Sequence, residues 1–196
     1  MTTLSPAELD TLVDIAERSV RRAVLQGGSL HPEPAEYPPA LRAPGAVFVS
    51  LHRHGTLRGC IGTLAAVAPL VDAVADRARA AALTDPRFTA VRPDELSDLQ
   101  VSISVLSAPE PIEVDSYDAL VAALRPGVDG LIVESGRHRA TFLPVVWEEL
   151  PAGEAFVAHL WRKAGLPPRS WPRGTTALRY VAQHAAAAER AKLHDA

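Results

Sequence analysis

The sequence predicts an α+β protein in which helices pack on a mainly antiparallel sheet. Apolar residues recur at helical spacing in the first 26 residues. Residues 101–106 alternate apolar and serine side chains, which is the pattern of a half-buried strand. Two pairs of short apolar runs enclose short turns near residues 54 and 136, as in β-hairpins. The order of hairpins and helices therefore favours helices on an antiparallel sheet over a parallel βαβ arrangement.

The first helix is predicted to begin at Ser5. Ser5 can cap the helix, a proline follows it, and Glu8 can complete a capping box. Residues 9–24 supply an apolar face, and Gly27 ends the helix. Five prolines in residues 29–45 then predict an extended connector on the surface.

The remaining elements follow from the same periodicities and breakers. The predicted strands are Val47 to Leu51, Leu57 to Leu64, Gln100 to Leu106, Gly130 to Glu134 and Arg139 to Leu143. The predicted helices are Pro69 to Leu83, Tyr117 to Leu124, Pro144 to Leu150 and Glu154 to Ala164. Residues 171–181 are predicted as a loop followed by a strand, and residues 183–196 as an alanine-rich helical tail.

Composition excludes several classes of protein. The formal net charge is -3, and all but two of the 20 basic residues are scattered arginines, so no nucleic-acid track is expected. No apolar run approaches the roughly 18 residues of a membrane span. One cysteine excludes an internal disulfide, and the N-terminus lacks a signal peptide, so the predicted location is the cytoplasm. The chain contains no P-loop, no Gly-rich nucleotide loop and no CxxC, and no cofactor is predicted.

The segment Leu51 to Leu64, LHRHGTLRGCIGTL, carries that single cysteine, Cys60. Side chains alternate along a strand, so Arg58 and Cys60 are expected to share a face. A three-residue turn in this hairpin would pair Ser50 with Arg58, and a two-residue turn would shift the register by one residue.

Glycines and an arginine make this segment a candidate site. Gly59 and Gly62 weaken a strand, so they predict a bulge or the close approach of a backbone or ligand. Arg58 would lower the pKa of a neighbouring thiol and could hold a carboxylate or phosphate. Cys60 is then a candidate nucleophile. The alternative is that Cys60 is a small buried hydrophobic residue.

The histidines of the turn, His52 and His54, do not complete a catalytic pair. They lie at the end of the hairpin, about 13 Å along the strand from Cys60. Two histidines are also too few ligands for a metal, so a solvated turn is expected and no metal site is predicted.

The segment Asp85-Pro86-Arg87-Phe88 follows the next predicted helix. One interpretation is a turn that ends the helix and places Phe88 in the core. The other is that Arg87 lies beside Arg58, where two arginines would select an anionic ligand.

The segment Leu57 to Gly62 (LRGCIG) resembles the signature of the AMMECR-type domain, also called AmmeMemoRadiSam system protein A. Further segments resemble that family in the same order: Asp85 to Phe88, Leu99 to Ser107, Pro109 to Ile112, Gly127 to Val133, Thr141 to Trp147 and Leu160 to Leu166. The resemblance extends from about residue 5 to 181. Val145 departs from the family's usual glutamine, and the alanine-rich tail departs from its expected acidic, aromatic ending.

The resemblance implies a single domain over residues 1–196, with two lobes around a cleft and the LRGCIG segment beside it. A smaller lobe is expected at about residues 65–105. The family's activity is unsettled, so the resemblance implies no reaction. Its bacterial and archaeal members are associated with a Memo-like protein and a radical-SAM protein, which makes these the expected partners.

Two functions stay open at this level. The first is an enzyme, or a component of an enzyme system, that binds a small anionic ligand at Arg58, Gly59, Gly62 and Arg87, with Cys60 as the nucleophile. The second is a non-catalytic adaptor that docks a Memo-like or radical-SAM partner through the same segment.

Overall fold

A computed structural model describes residues 3–187 of the chain. The fold is α+β, as predicted. In chain order the elements are α1 (Pro6–Gln26), a 3-10 helix (Pro34–Glu36), α2 (Pro39–Arg42), β1 (Ala46–Arg53), β2 (Thr56–Gly62), α3 (Leu70–Leu83), a 3-10 helix (Pro93–Asp98), β3 (Leu99–Leu106), β4 (Glu110–Pro111), α4 (Tyr117–Ala123), β5 (Gly130–Ser135), β6 (His138–Phe142), a 3-10 helix (Pro144–Glu148), α5 (Gly153–Ala164), β7 (Thr176–Tyr180) and β8 (Ala182–Ala186). None of the helices within residues 3–187 combines the length and apolar character needed to cross a membrane.

The first compact unit contains the chain up to Leu106 together with the segment that begins at Gln183. Its strands form a sheet in the order β2-β1-β3-β8, with β1 paired antiparallel to both β2 and β3. The inward side chains of β1 alternate with outward ones, and Val47, Val49 and Leu51 are fully buried. They pack into a core shared with α1 and α3.

Helix α1 is fixed at both ends and along its buried face. Ser5 accepts the N–H of Glu8 while the Glu8 carboxylate accepts the N–H of Ser5, which confirms the predicted capping box. Gly27 ends the helix in the left-handed conformation, with φ 67°. Within the core, the Ser19 hydroxyl donates to the Ala75 carbonyl of α3 at 2.6 Å and is fully buried. This hydrogen bond joins α1 to α3 inside the core.

The second compact unit contains Ser107–Ala182. Its sheet has the order β4-β7-β5-β6, with antiparallel pairing throughout. Helices α4 and α5 contribute to a separate core in which the Trp147 and Phe156 rings stack with centroids 3.9 Å apart. The Trp147 indole N–H also donates to the Asp129 carbonyl at 2.7 Å.

Two predictions about organisation are wrong. Residues 65–105 do not form the smaller unit, because β3 pairs with β1 along its length and α3 packs on the same core. Residues 183–186 are strand rather than helix, because β8 pairs beside β3 and the Gln183 side chain bonds both backbone groups of Leu4. Tertiary pairing here overrides the helix propensity of alanine. The predicted helical tail from residue 188 onward lies outside the described residues.

The Ser19 hydrogen bond generates a stability prediction. Ser19→Ala is expected to lower the free energy of unfolding by about 1 kcal/mol, the net value of one intramolecular hydrogen bond. Urea unfolding followed by circular dichroism measures the change. Thr11→Ala is the control, because this half-buried hydroxyl donates to the Ala7 carbonyl of its own helix and not to α3 among residues 3–187. The Thr11→Ala protein should stay within about 0.5 kcal/mol of the wild type. Equal effects of the two substitutions would contradict the role given to Ser19.

Candidate functional site

The LRGCIG hairpin turns on two residues and contains a bulge. His54 and Gly55 both have positive φ, 51° and 77°, as a two-residue turn between twisted strands requires. The register slips by one residue between Leu51 and His52, which leaves Arg58 without an opposite residue on β1. This bulge confirms the prediction made from Gly59 and Gly62. It also gives a strand register that neither a two-residue nor a three-residue turn would produce without a bulge.

The bulge decides which side of the sheet Cys60 occupies. Without it, a two-residue turn would place Cys60 opposite Val49, whose side chain is fully buried in the core. With it, Cys60 lies opposite Ser50 on the other face, where its side chain is half-buried. The Ser50 hydroxyl donates to the Cys60 sulfur at 3.2 Å.

Both glycines of the motif are required by close approach. A Cβ on Gly59 would lie 2.2 Å from the Ala81 carbonyl oxygen near the end of α3. A Cβ on Gly62 would lie 2.2 Å from the Phe48 ring. Each glycine therefore lets a neighbouring group contact the hairpin backbone directly.

The outer edge of β2 is closed by an ion pair instead of another strand. The Cys60 N–H donates to the Asp85 carboxylate at 2.8 Å, and the Arg87 guanidinium donates to the Cys60 carbonyl at 3.0 Å. Arg87 and Asp85 also bond each other, with Nη2 and Oδ2 2.7 Å apart. The two side chains thus occupy the place of a peptide group on a neighbouring strand, which protects an edge that would otherwise offer free backbone groups.

Arg58, the bulged residue, is held by the segment that precedes β3. Its guanidinium donates two hydrogen bonds to the Glu95 carboxylate, at 2.9 and 3.0 Å. It also donates to the carbonyl oxygens of Thr89 and Ala90, at 2.8 and 3.3 Å. Arg53 shares the Glu95 carboxylate at 3.4 Å. The Arg58 side chain is 15% exposed and that of Glu95 is 7% exposed, so this is a largely buried, bidentate pair.

Arg58 keeps the Glu95 carboxylate ionised, and Arg87 keeps the Asp85 carboxylate ionised. Hydrogen bonds from the Arg58 side chain, followed by one from the Arg92 N–H, lower the pKa of Glu95 to about 2. Hydrogen bonds from the Arg87 side chain are the main cause that lowers the pKa of Asp85, with a smaller contribution from the Cys60 N–H. Burial opposes both shifts, but the hydrogen bonds outweigh it.

The structure brings the predicted site residues Arg58, Gly59, Cys60, Gly62 and Arg87 into one hairpin and the segment beside it. Their assignment to ligand binding and to nucleophilic catalysis stays a prediction. The sequence predicts that Arg58 and Cys60 share a face, but the bulge interrupts the alternation of side chains between them. The Arg58 guanidinium binds Glu95, whereas the Cys60 thiol accepts from Ser50.

The turn histidines are separate from the thiol. His54 lies 3.7 Å from the Asp98 carboxylate. Within residues 3–187, no group of three or more histidine, cysteine or acidic residues is arranged to hold a metal ion.

Three residues that complete the site were not singled out as partners in the sequence. The sequence indicates for Asp85 only a helix-ending turn, although its carboxylate accepts the Cys60 N–H. Glu95 lies 37 residues from Arg58, beyond the reach of a local pattern. Ser50 carried a signal, since a serine interrupts the apolar run of β1 at the position opposite the cysteine.

The contact between Gly59 and Ala81 predicts a large effect of adding one methyl group. Gly59→Ala is expected to lower the free energy of unfolding by about 3 kcal/mol, because the added Cβ meets a backbone carbonyl that cannot rotate away. Urea unfolding measures the loss. Gly153→Ala is the matched control, since its Cβ would lie an ordinary 3.5 Å from Val121. A Gly59→Ala protein as stable as the control would show that the hairpin and α3 do not approach as described.

The low pKa of Glu95 predicts acid sensitivity. A carboxyl whose pKa falls on folding stabilises the protein above its ordinary pKa of 4.5, and this stabilisation is lost as the pH falls towards about 2. Glu95→Gln is therefore expected to reduce stability at neutral pH and to flatten the decline between pH 4.5 and 2, measured by urea unfolding at a series of pH values. Glu36→Gln, at an exposed position, is the control. An unchanged slope in Glu95→Gln would remove the Arg58–Glu95 pair as the cause.

The chain is similar to known proteins over most of its length. The AMMECR1 family model matches residues 13–185. A protein of Methanothermobacter thermautotrophicus is 45% identical over 166 residues, covering 84% of this chain and 86% of that protein. A protein of Thermococcus gammatolerans is 41% identical over 170 residues, covering 82% of this chain and 80% of its own length.

A solved structure has the same fold. The crystal structure of the uncharacterised protein PH0010 from Pyrococcus horikoshii matches with a TM-score of 0.83 and 36% identity. The match covers 90% of this chain and 89% of that one. The sequence signature, the near full-length relatives and the shared fold agree, and this chain belongs to the AMMECR1 family.

Proposed function

We propose that this chain is a non-catalytic component of a multi-protein system that docks a partner through the LRGCIG hairpin. The expected partner is a Memo-like or radical-SAM protein, as the family resemblance suggests. The docking surface is the face of the first sheet that points away from α1 and α3, around Cys60. Biochemically the chain would then position another protein or its substrate.

The observation that carries this proposal is the pairing of the charged groups of the hairpin. Arg58 is neutralised by Glu95, and Arg87 by Asp85. A free anion approaching either guanidinium would also approach an ionised carboxylate, so little net attraction remains. The Cys60 N–H is already donated to Asp85, and it cannot also stabilise an oxyanion. These charges are paired within the hairpin and the segments beside it, and that pairing favours a docking surface over a pocket for an anion.

The second candidate function is an enzyme in which Cys60 attacks a small anionic substrate. The half-buried, partly accessible thiol is the observation that favours it. Nucleophilic catalysis also needs a base within hydrogen-bond reach of the sulfur. Among the described residues, the hydrogen-bond partner of the Cys60 sulfur is the Ser50 hydroxyl, which donates to the sulfur.

A binding experiment tests the docking proposal. The purified chain is titrated calorimetrically with the Memo-like protein and with the radical-SAM protein of the same host, each in turn. Gln100→Arg adds bulk and charge to an exposed position on the face shared with Ser102, two residues away on β3. It is expected to weaken binding at least ten-fold. Cys60→Ser is expected to bind as the wild type does, because a docking role requires no nucleophile.

The matched control is Gln26→Arg, the same substitution at an exposed position near the end of α1. It should leave the affinity unchanged. If neither protein binds, or if Gln100→Arg binds like the wild type, the docking proposal fails. Loss of a measurable turnover in Cys60→Ser, with binding intact, would instead support the enzyme.

A further inference from the structure

We infer that Cys60, Ser50 and Ser102 form a row across β2, β1 and β3 that receives a neutral amide group. Ser50 lies opposite Cys60 on one side and opposite Ser102 on the other. Residues directly opposite each other in antiparallel strands have Cβ atoms about 5 Å apart and point to the same face. One thiol and two hydroxyls therefore stand side by side on the face that points away from the core.

Ser102 is the observation that points to a ligand. It is 8% exposed, yet its hydroxyl has no hydrogen-bond partner within residues 3–187. A hydroxyl without a partner in the protein can donate to a bound group and accept from it. Within residues 3–187, the side-chain polar atoms that are both hidden from solvent and unbonded belong to Arg53 and Arg79. The Ser102 hydroxyl is not among them, so it can still be reached from solvent.

The hydrogen bond from Ser50 to Cys60 determines which ligand groups the row can bind. Ser50 donates its hydrogen to the Cys60 sulfur, so its oxygen is left as an acceptor. Ser102 can donate as well as accept. An amide offers a carbonyl acceptor to Ser102 and an N–H donor to Ser50. The nearby arginines are paired with carboxylates, so a charged ligand group would lose its hydration without gaining a counter-charge.

This inference rests on the proposed docking function in one respect, since a backbone or side-chain amide of a partner protein would be the natural occupant. The recognition itself is a property of the isolated chain. It can therefore be tested without the partner, and its failure leaves the calorimetric test of docking untouched.

Two alkylating reagents that differ only in charge supply the test. Iodoacetamide carries an amide, and iodoacetate carries a carboxylate in its place. In both reactions the Cys60 sulfur forms a bond to the methylene carbon, iodide leaves, and the thiol proton passes to solvent. The rate constants are measured by mass spectrometry on the native chain and on N-acetylcysteine under the same conditions. Cys60 is the only cysteine of the chain, so the modification is unambiguous.

The ratio of the iodoacetamide rate to the iodoacetate rate is expected to be about ten-fold higher for Cys60 than for N-acetylcysteine. Ser102→Ala should lower that ratio about five-fold, the effect of losing one net hydrogen bond. Ser104→Ala on the same strand is the matched control, because its hydroxyl lies 3.4 Å from His184 and opposite Phe48, outside the row. It should leave the ratio unchanged. Native circular dichroism confirms that each variant is folded.

Several results would overturn the inference. A ratio equal to that of N-acetylcysteine would show that the row does not recognise the amide. A preference for iodoacetate would show an anion site and favour the enzymatic candidate. A thiol inert to both reagents until denaturation would show that the row is closed to ligands. An unchanged ratio in Ser102→Ala would remove that hydroxyl from the site.

Discussion

The bulge at Arg58 is the constraint on which the rest of the hairpin depends. Opposite faces of a strand alternate with each residue, so one inserted residue transfers every following side chain to the other face. Gly59 is thereby turned towards α3 and Cys60 away from the core. The bulge is held in place by the four hydrogen bonds that Arg58 makes to Glu95, Thr89 and Ala90 among the described residues. A buried ion pair thus determines where the only thiol of the chain is presented.

The ion pairs at this hairpin are structural in a specific sense. Asp85 and Arg87 bond the N–H and C=O of the same residue, Cys60, and so complete the hydrogen bonding of an edge strand. Glu95 accepts from Arg58 and from the Arg92 backbone, which anchors the 3-10 helix before β3 to the hairpin. Removing Glu95 would leave the largely buried Arg58 guanidinium without the carboxylate of its bidentate pair. Removing Asp85 would leave the Cys60 N–H without its partner at the edge of the sheet. In this part of the molecule, paired charged side chains hold the backbone of the hairpin in place.

The sequence was sufficient for features that depend on local patterns. The capping box at Ser5, both hairpins and the alternation of β3 follow from residues within a few positions of each other. The family and the α+β class followed from the LRGCIG segment and the order of elements. Within the hairpin, the two glycines indicated a bulge, although their spacing alone could not locate it at Arg58.

Features that depend on distant residues could not be predicted. The alanines after residue 182 favour a helix by propensity, but pairing beside β3 and the contact of Gln183 with Leu4, 179 residues away, make a strand. Arg58 and Arg87 suggest an anion site while only the hairpin is considered. Their carboxylate partners change that interpretation, and Glu95 belongs to a segment 37 residues further on. The charge of a side chain is a local fact, but whether that charge is available to a ligand depends on the folded neighbourhood. In this hairpin the folded neighbourhood pairs both guanidinium groups with carboxylates, while the Cys60 thiol lies beside the Ser50 hydroxyl.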